Sequence, residues 1–209
     1  MKTYGLILAG GKSSRFNGED KSWTLWNKQP LINHVINRIR PQVDNLLISA
    51  NRNFEKYAQL GYPVVSDELE NYQGPLAGIA AAMKYISAHN TDINNIFILT
   101  APCDMPLIPE DLLELLTQSG DPANNSDQIS VASDGNRTQS LIALIPLTKL
   151  EHLTTFLESG QRKVEQWILD SKPNIIDLSD HANNFYNINN LDELDKLDTL
   201  SNTPKGLVN

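Results

Sequence analysis

The sequence contains a single cysteine, Cys103, and no run of about eighteen or more consecutive apolar residues. One cysteine cannot form an internal disulfide, and no second cysteine or group of closely spaced histidines is available to complete a zinc site. The N-terminus lacks the long apolar segment of a secretion signal, so we expect a cytoplasmic protein. These absences exclude a disulfide-stabilised domain, a structural zinc domain and a protein anchored by a membrane-spanning helix.

Basic residues are also few, with 17 Lys and Arg against 25 Asp and Glu and a net charge of −8. Because nucleic-acid-binding surfaces are usually basic, we expect no nucleic-acid partner. The charge is unevenly distributed: residues 1–28 carry five basic and two acidic side chains, whereas residues 177–209 carry six acidic and two basic ones. The first segment would attract an anionic ligand, although a solvated surface loop could have the same composition.

The length of 209 residues, 40% of them hydrophobic, suits one domain with a full core. Short β-like runs alternate with helical patterns, which predicts an α/β fold: three layers around a mostly parallel, doubly wound, Rossmann-like sheet. We assign residues 1–198 to this domain and residues 199–209 to a loosely ordered tail. The predicted strands are 4–9, 46–49, 62–65, 95–100, 129–133, 141–145 and 175–178. The predicted helices are 30–39, 54–59, 74–86, 109–116, 148–158, 162–169 and 191–197.

A glycine-rich segment with the sequence LAGGKSSRFNGEDK occupies residues 8–21. A strand that ends in two glycines can present backbone N–H groups to phosphate oxygens without intervening side chains. Lys12, Arg15 and Lys21 add the positive charge that a triphosphate requires. The segment is therefore typical of a phosphate-binding loop.

Two common phosphate-binding motifs do not fit this segment. A Walker A loop would need its first glycine at the position of Leu6, and a Rossmann fingerprint needs glycines separated by one residue, whereas Gly10 and Gly11 are adjacent. Neither of these two motifs therefore describes the segment.

The segment resembles the signature Leu-Ala-Gly-Gly-x-Ser-x-Arg-(Met/Phe)-Gly-x-Asp-Lys of the molybdenum cofactor guanylyltransferases, the MobA family of nucleoside-triphosphate transferases. Further similar segments follow in the same order, so that the resemblance spans about residues 4–197. They are NR at 51–52, GPLAG at 74–78, PCDMP at 102–106, TQSL at 138–141, GQRKV at 160–164 and YNIN at 186–189. The chain departs from the pattern by an extra residue, Asn17, and by Ser140 in place of a proline.

The resemblance implies a magnesium-dependent enzyme, with Mn²⁺ as an alternative metal, that transfers GMP from GTP to molybdopterin or Mo-molybdopterin and releases pyrophosphate. It implies catalytic roles for Lys21, Asp104 and Arg15, with Asp104 as the metal ligand. The implied nucleotide-binding residues are Leu8, Ala9, Gly10, Gly11, Lys12, Lys21, Asn51, Asp67, Gly74, Pro75, Leu76, Gly78 and Asp104. The implied acceptor-binding residues are Gln139, Arg162, Asn187 and Asn189.

The residues themselves support part of this assignment. Asp104 follows an apolar strand, at the edge where ligands bind in open α/β sheets, and Mg²⁺ is bound by one or two carboxylates together with phosphate oxygens. A helix N-cap is the alternative role for Asp104. Asn51 and Asp67 could likewise be turn residues. Asn187 and Asn189 alternate as in a strand, which predicts that both face one side.

Other functions of the same sequence remain open at this point. One is a cytidylyltransferase of the same fold that acts on molybdopterin or on a sugar or polyol phosphate, and another is a non-catalytic nucleotide-binding regulator. For the guanylyltransferase we expect a monomer or weak oligomer that contacts molybdenum-inserting or molybdoenzyme-maturation proteins transiently, with no membrane partner.

Overall fold

The computed structural model describes residues 1–9, 20–67, 74–118, 127–190 and 193–201. Seven strands form one sheet in the order β5-β4-β1-β6-β8-β7-β9, and β2 and β3 form a separate hairpin. The strands are β1 (Lys2–Leu8), β2 (Leu25–Trp26), β3 (Gln29–Pro30), β4 (Asn45–Ser49), β5 (Val64–Val65), β6 (Ile96–Pro102), β7 (Ser130–Ser133), β8 (Thr138–Pro146) and β9 (Asn174–Asp177). All pairings in the sheet are parallel except those of β8 with β6 and with β7.

The helices cover both faces of the sheet. They are α1 (Leu31–Ile39), α2 (Phe54–Ala58), α3 (Pro75–Ala88), α4 (Leu112–Thr117), α5 (Leu150–Glu158), α6 (Val164–Asp170) and α7 (Leu194–Ser201). One hydrophobic cluster contains apolar residues of α1, α2 and α4, and a second contains those of α3, α5 and α6. The predicted three-layer, mostly parallel α/β fold is therefore confirmed.

The central strand β1 is buried on both sides, as expected for a parallel strand between two helical layers. Successive side chains of a strand point to opposite faces, so Ile7 belongs to the first cluster and Leu6 to the second. Gly5 has no room for a side chain, because a Cβ there would lie 2.6 Å from the Leu46 side chain and 2.9 Å from that of Ile39. The glycine lets α1 and β4 approach β1 closely.

The strand order reverses at β1. The chain passes from β1 through α1 to β4 on one side, and it returns through α3 to β6 on the other. In open α/β sheets, ligands bind at the carboxyl edge where the strand order reverses. The glycine-rich segment follows β1, and Asp104 follows β6.

Some element boundaries differ from the predictions. The helix predicted for residues 109–116 begins only at Leu112, because the side chain of Gln42 bonds the Pro109 carbonyl (3.1 Å) and the Leu113 N–H (2.7 Å). The last helix continues to Ser201, beyond the predicted domain boundary at residue 198. The hairpin β2–β3, with Asn27 and Lys28 at positive φ in its turn, was not among the predicted elements.

No helix in the described part of the chain combines the length and the hydropathy needed to cross a membrane.

Candidate active site

The carboxyl edge of the sheet is fixed by backbone hydrogen bonds between neighbouring strand ends. The N–H of Cys103 donates to the carbonyl of Leu8 (3.1 Å), and the N–H of Ala9 donates to that of Ser49 (2.8 Å). These bonds continue the ladders of β1 with β6 and with β4 past the last paired residues. Leu8 and Ala9 consequently lie between the residues that follow β4 and those that follow β6.

Three of the predicted site residues meet at this edge. The Nζ of Lys21 lies 2.7 Å from the Oδ2 of Asp104 and donates to the Oδ1 of Asn187 at 3.0 Å. The side chains of Lys21 and Asp104 are 16% and 19% exposed, so the ion pair is largely shielded but open on one side. The structure thus brings together residues expected to act on the triphosphate, the metal and the acceptor.

The second oxygen of the Asp104 carboxylate has an unusual environment. Its Oδ1 is buried and has no hydrogen-bond partner among the described residues. Most buried polar atoms have such a partner, so an oxygen of this kind calls for an explanation. A hard divalent cation, which takes carboxylate oxygens together with phosphate oxygens and water, would satisfy it. The residues present therefore fit a Mg²⁺ or Mn²⁺ ion at Asp104. The alternative role as a helix N-cap does not apply, because α4 starts eight residues later with Asp111 at its N-cap.

Asn187 is held beside Asp104 by the backbone of its own segment. The N–H of Ile188 donates to the carbonyl of Asp104 at 2.9 Å, and the Ile188 side chain is fully buried in a small cluster with Leu31, Leu107 and Leu197. The cluster joins α7 to the segment, so the C-terminal helix supports the position of Asn187.

Asn189 does not share the position of Asn187. Residues 186–190 form no strand, and the prediction that the two asparagines alternate in a strand was wrong. The backbone instead forms a turn. The Nδ2 of Asn189 donates to the carbonyl of Asn187 (3.3 Å), and the backbone N–H of Asn189 donates to the carboxylate of Glu193 (2.5 Å). Asn189 is exposed and supports the local turn in this structure.

Asn51 and Asp67 contact each other. The Nδ2 of Asn51 donates to the Oδ2 of Asp67 (2.8 Å), and the N–H of Asp67 donates to the Oδ1 of Asn51 (3.1 Å). They follow the parallel strands β4 and β5, whose register pairs Ser49 with Val65. Two residues expected to contact the nucleotide thus form one polar unit at the same edge of the sheet.

The N-terminus of α3 lies at this edge as well. Gly74 has φ +83°, a conformation that side chains rarely adopt, and Pro75 occupies the first helical position. A Cβ on Gly78 would lie 2.2 Å from the Ser49 Oγ, so this glycine allows close packing of the helix on β4. Leu76 is fully buried and can offer only its backbone to a ligand.

The other acceptor candidates, Gln139 and Arg162, form hydrogen bonds with groups other than Lys21, Asp104 and Asn187. The register of β6 and β8 pairs Thr100 with Ala143, and Gln139 lies near the start of β8, beyond the last of these pairs. The Nε2 of Gln139 donates to the Asp134 carboxylate at 2.6 Å. Arg162, between α5 and α6, donates to the carbonyl of Leu157 in α5 and to that of Gln161 in its own loop.

Four candidates, Gly10, Gly11, Lys12 and Arg15, lie outside the described residues. Their roles stay predictions from the sequence.

One group of residues at the site was not predicted. Asp20 precedes Lys21, and its side chain is only 5% exposed. Its Oδ2 accepts hydrogen bonds from the Tyr57 hydroxyl (2.8 Å) and the Asn53 amide (3.1 Å), and its Oδ1 accepts the N–H of Ser22 (3.2 Å). The available signal was the position of Asp20 inside the motif, next to a catalytic candidate, but its burial depends on α2 and is not visible in the sequence.

Burial also decides the protonation of two neighbours. Burial raises the pKa of Cys103 to about 12, with the Asp104 charge adding to the effect, and it raises the pKa of Tyr57 above its ordinary value. Both groups therefore remain protonated at neutral pH. Cys103 is therefore a packed thiol and not a nucleophile.

The chain matches the MobA-like NTP transferase domain family over residues 5–173, a range that includes Lys21 and Asp104. It belongs to this family. Curated relatives named molybdenum cofactor guanylyltransferase are 40% identical in Shewanella loihica and 41% identical in Shewanella sediminis, each over 180 residues that cover 86% of this chain and 87% of the relative.

A solved structure supports the fold independently. The molybdopterin-guanine dinucleotide biosynthesis protein A of Archaeoglobus fulgidus superposes with a TM-score of 0.70 over 95% of this chain and 98% of that one, at 18% identity. Membership of the family makes the protein a nucleotidyltransferase, and a divalent metal requirement goes with it. Asn187 lies beyond the range that the family model matches, and its contact with Lys21 is seen in the tertiary structure.

Proposed function

We propose that this protein is a molybdenum cofactor guanylyltransferase: it transfers GMP from GTP to the terminal phosphate of molybdopterin or Mo-molybdopterin, releases pyrophosphate and forms the molybdopterin guanine dinucleotide cofactor. The observation that carries the proposal is the contact of Lys21 with Asp104 at the point where the strand order reverses. The names of the relatives, at about 40% identity over most of both chains, support the choice of GTP and the molybdopterin acceptor.

The proposed reaction needs no general base. The second pKa of a phosphate monoester is about 6, so the acceptor phosphate is already largely anionic at neutral pH. The enzyme must overcome the repulsion between two polyanions and align them, which charge and positioning accomplish.

Lys21 supplies the charge from the protein side. Its ammonium group lies where it can leave Asp104 and donate to the oxygens of the α-phosphate and of the leaving pyrophosphate. Asp104, whose Oδ1 has no partner among the described residues, would hold Mg²⁺ or Mn²⁺, which neutralises phosphate charge when bound. Arg15 and the N–H groups of Gly10 and Gly11 complete the triphosphate site in this proposal.

The guanosine of GTP and the molybdopterin acceptor would lie on opposite sides of Lys21 and Asp104. The Asn51 and Asp67 pair, together with the N-terminus of α3, is assigned to the guanosine. Asn187, which accepts a hydrogen bond from Lys21, is assigned to the acceptor with Gln139, Arg162 and Asn189. A cytoplasmic location and transient contacts with molybdenum-inserting proteins follow from this role as further proposals.

The test is to incubate the purified protein with Mg²⁺, molybdopterin or Mo-molybdopterin and each of the four nucleoside triphosphates in turn, and to follow pyrophosphate release. We expect GTP to be the only one of the four triphosphates that supports pyrophosphate release. The guanine dinucleotide product should form at the same time. Release with CTP instead identifies a cytidylyltransferase, and nucleotide binding without release with any of the four identifies a regulator. Either of these results contradicts the proposal.

A further inference from the structure

In the proposed reaction, Lys21 has to keep its ammonium group at Asp104. Asp20, the residue that immediately precedes it, is the N-cap of a short 3-10 helix, Lys21–Trp23, and accepts the N–H of Ser22. A carboxylate that is only 5% exposed costs free energy unless hydrogen bonds or charges offset the loss of water. The groups that donate hydrogen bonds to the Asp20 carboxylate therefore show which part of the protein holds this residue in place.

Those partners come from the helix α2 and the residues just before it. The Tyr57 hydroxyl and the Asn53 amide both donate to the Asp20 Oδ2, at 2.8 and 3.1 Å, and the Arg52 Nε lies 3.8 Å from the same oxygen. Tyr57 is fully buried and protonated, so it can serve as a stable donor to a carboxylate, which can only accept. Asp20 is thus anchored to a rigid element and not to solvent.

The same network reaches the other half of the ion pair. The Ser22 Oγ lies 2.8 Å from the Tyr57 Oη and 3.1 Å from the Cys103 Sγ, and Cys103 directly precedes Asp104. One continuous set of hydrogen bonds therefore runs from the residue before Lys21 to the residue before Asp104. The ring of Trp23 packs against that of Tyr57, with centroids 5.2 Å apart, and closes the 3-10 helix onto α2.

We infer that Asp20 is a positioning residue for nucleotidyl transfer: with Tyr57 as its donor, it fixes the backbone at Lys21 so that the ammonium group faces Asp104. Asp20 itself touches neither substrate in this arrangement and acts only through Lys21. The inference rests on the proposed function for its reaction, but the geometry on which it depends is independent of the base and the acceptor.

The first test is a double-mutant cycle of Asp20→Asn with Lys21→Ala, in which steady-state pyrophosphate release gives kcat and the KM for GTP. Asp20→Asn keeps the shape of the side chain and removes its charge. We expect kcat to fall by about 10-fold to 100-fold, because a misplacement of about 1 Å at a reacting group can cost as much. The KM for GTP should change by less than about 3-fold, since the contacts assigned to the guanosine are made by Asn51, Asp67 and the N-terminus of α3. In the Lys21→Ala background the same substitution should have almost no further effect on kcat.

An equal loss of kcat in both backgrounds would show a general structural role and would overturn the inference. Tyr57→Phe is the second variant, for the case that Asp20→Asn does not fold. It removes one hydroxyl, and we expect kcat to fall by about 3-fold to 10-fold, as for the loss of one hydrogen bond. An unchanged kcat in folded Tyr57→Phe would also contradict the inference.

Two matched variants serve as controls at the opposite edge of the sheet. Asp44→Asn changes a carboxylate that also accepts a backbone N–H and a hydroxyl, both from Thr3. Tyr4→Phe removes the hydroxyl of another buried tyrosine, which accepts from Asn90. Neither should change kcat or KM.

A crystal structure of Asp20→Asn supplies a readout that needs no turnover. The Lys21 Nζ should no longer lie within hydrogen-bonding distance of the Asp104 Oδ2, whereas a separation still near 2.7 Å would overturn the inference. If the wild-type protein does not use GTP, the proposed function fails, and this distance alone decides the role of Asp20.

Discussion

Replacing Asp104 by alanine separates the catalytic contribution of this residue from its contribution to stability. The substitution removes a largely shielded ion pair with Lys21, in which the Nζ and Oδ2 atoms are 2.7 Å apart. A hydrogen bond to a charged group contributes about 1.5–3 kcal/mol to the free energy of unfolding. The same substitution removes the buried Oδ1, which has no partner among the described residues and whose desolvation costs about 1–3 kcal/mol. The two effects offset each other, so we expect the free energy of unfolding to change by less than about 2 kcal/mol.

Activity should respond very differently. Without the carboxylate the site loses its metal ligand and the partner that orients Lys21, and we expect GMP transfer to fall by about 100-fold or more, which corresponds to about 3 kcal/mol in the activation barrier. Pyrophosphate release gives the rate, and urea unfolding followed by tryptophan fluorescence gives the stability. Thermal unfolding with GTP and Mg²⁺ adds a binding readout, because the metal-dependent rise in Tm should be lost in the variant.

Asp127→Ala is the matched control. Asp127 is also paired with a lysine, Lys149, at 2.6 Å, and that lysine is 16% exposed, as Lys21 is. Lys149 follows the end of β8 and Asp127 precedes β7, and neither residue is assigned to the site, so loss of this pair should leave the rate unchanged. Near-normal transfer by a folded Asp104→Ala protein would refute the metal assignment. A loss of stability above about 4 kcal/mol would show instead that Asp104 is mainly a structural ion-pair partner.

Three further outcomes are expected. Lys21→Ala should lower GMP transfer by about 100-fold to 1,000-fold, as for the loss of one electrostatic contact to the transition state, and pyrophosphate release without such a loss would contradict its role. Gly5→Ala should lower the free energy of unfolding by about 1–3 kcal/mol in urea titrations, because its Cβ would lie 2.6 Å from the Leu46 side chain; an unchanged midpoint would show that the core can adapt. The backbone hydrogen bond from Thr3 holds the pKa of Asp44 below its ordinary value of 3.8, so this group stabilises the fold above that pH and stops doing so as the pH falls through the lower folded value. Asp44→Asn should therefore be less stable than the wild type at pH 7, with the difference shrinking below about pH 4, and a difference that stays constant with pH would contradict this reasoning.

Much of the fold followed from local sequence features. The alternation of apolar strands with helical patterns predicted the three-layer sheet. A strand that helices cover on both faces has a continuous run of apolar residues, and such a run can be recognised within a short segment of the sequence. The boundary of α4 was not predictable in the same way. Its start at Leu112 depends on Gln42, a residue about seventy positions away that takes over the hydrogen bonds of the turn before the helix.

The sequence by itself determined the chemistry that the site has to offer: a glycine-rich cationic segment after the first strand, and a carboxylate after an apolar strand later in the chain. Only the tertiary structure decided which of these groups meet. Lys21 lies 83 positions from Asp104 and 166 from Asn187, and the three come together because the strand order places β1 beside β6 and because α7 supports the segment of Asn187. The tertiary structure also decided the burial of the Asp20 carboxylate. Burial is a property of packing, and a charged residue in a polar motif gives no local sign of it.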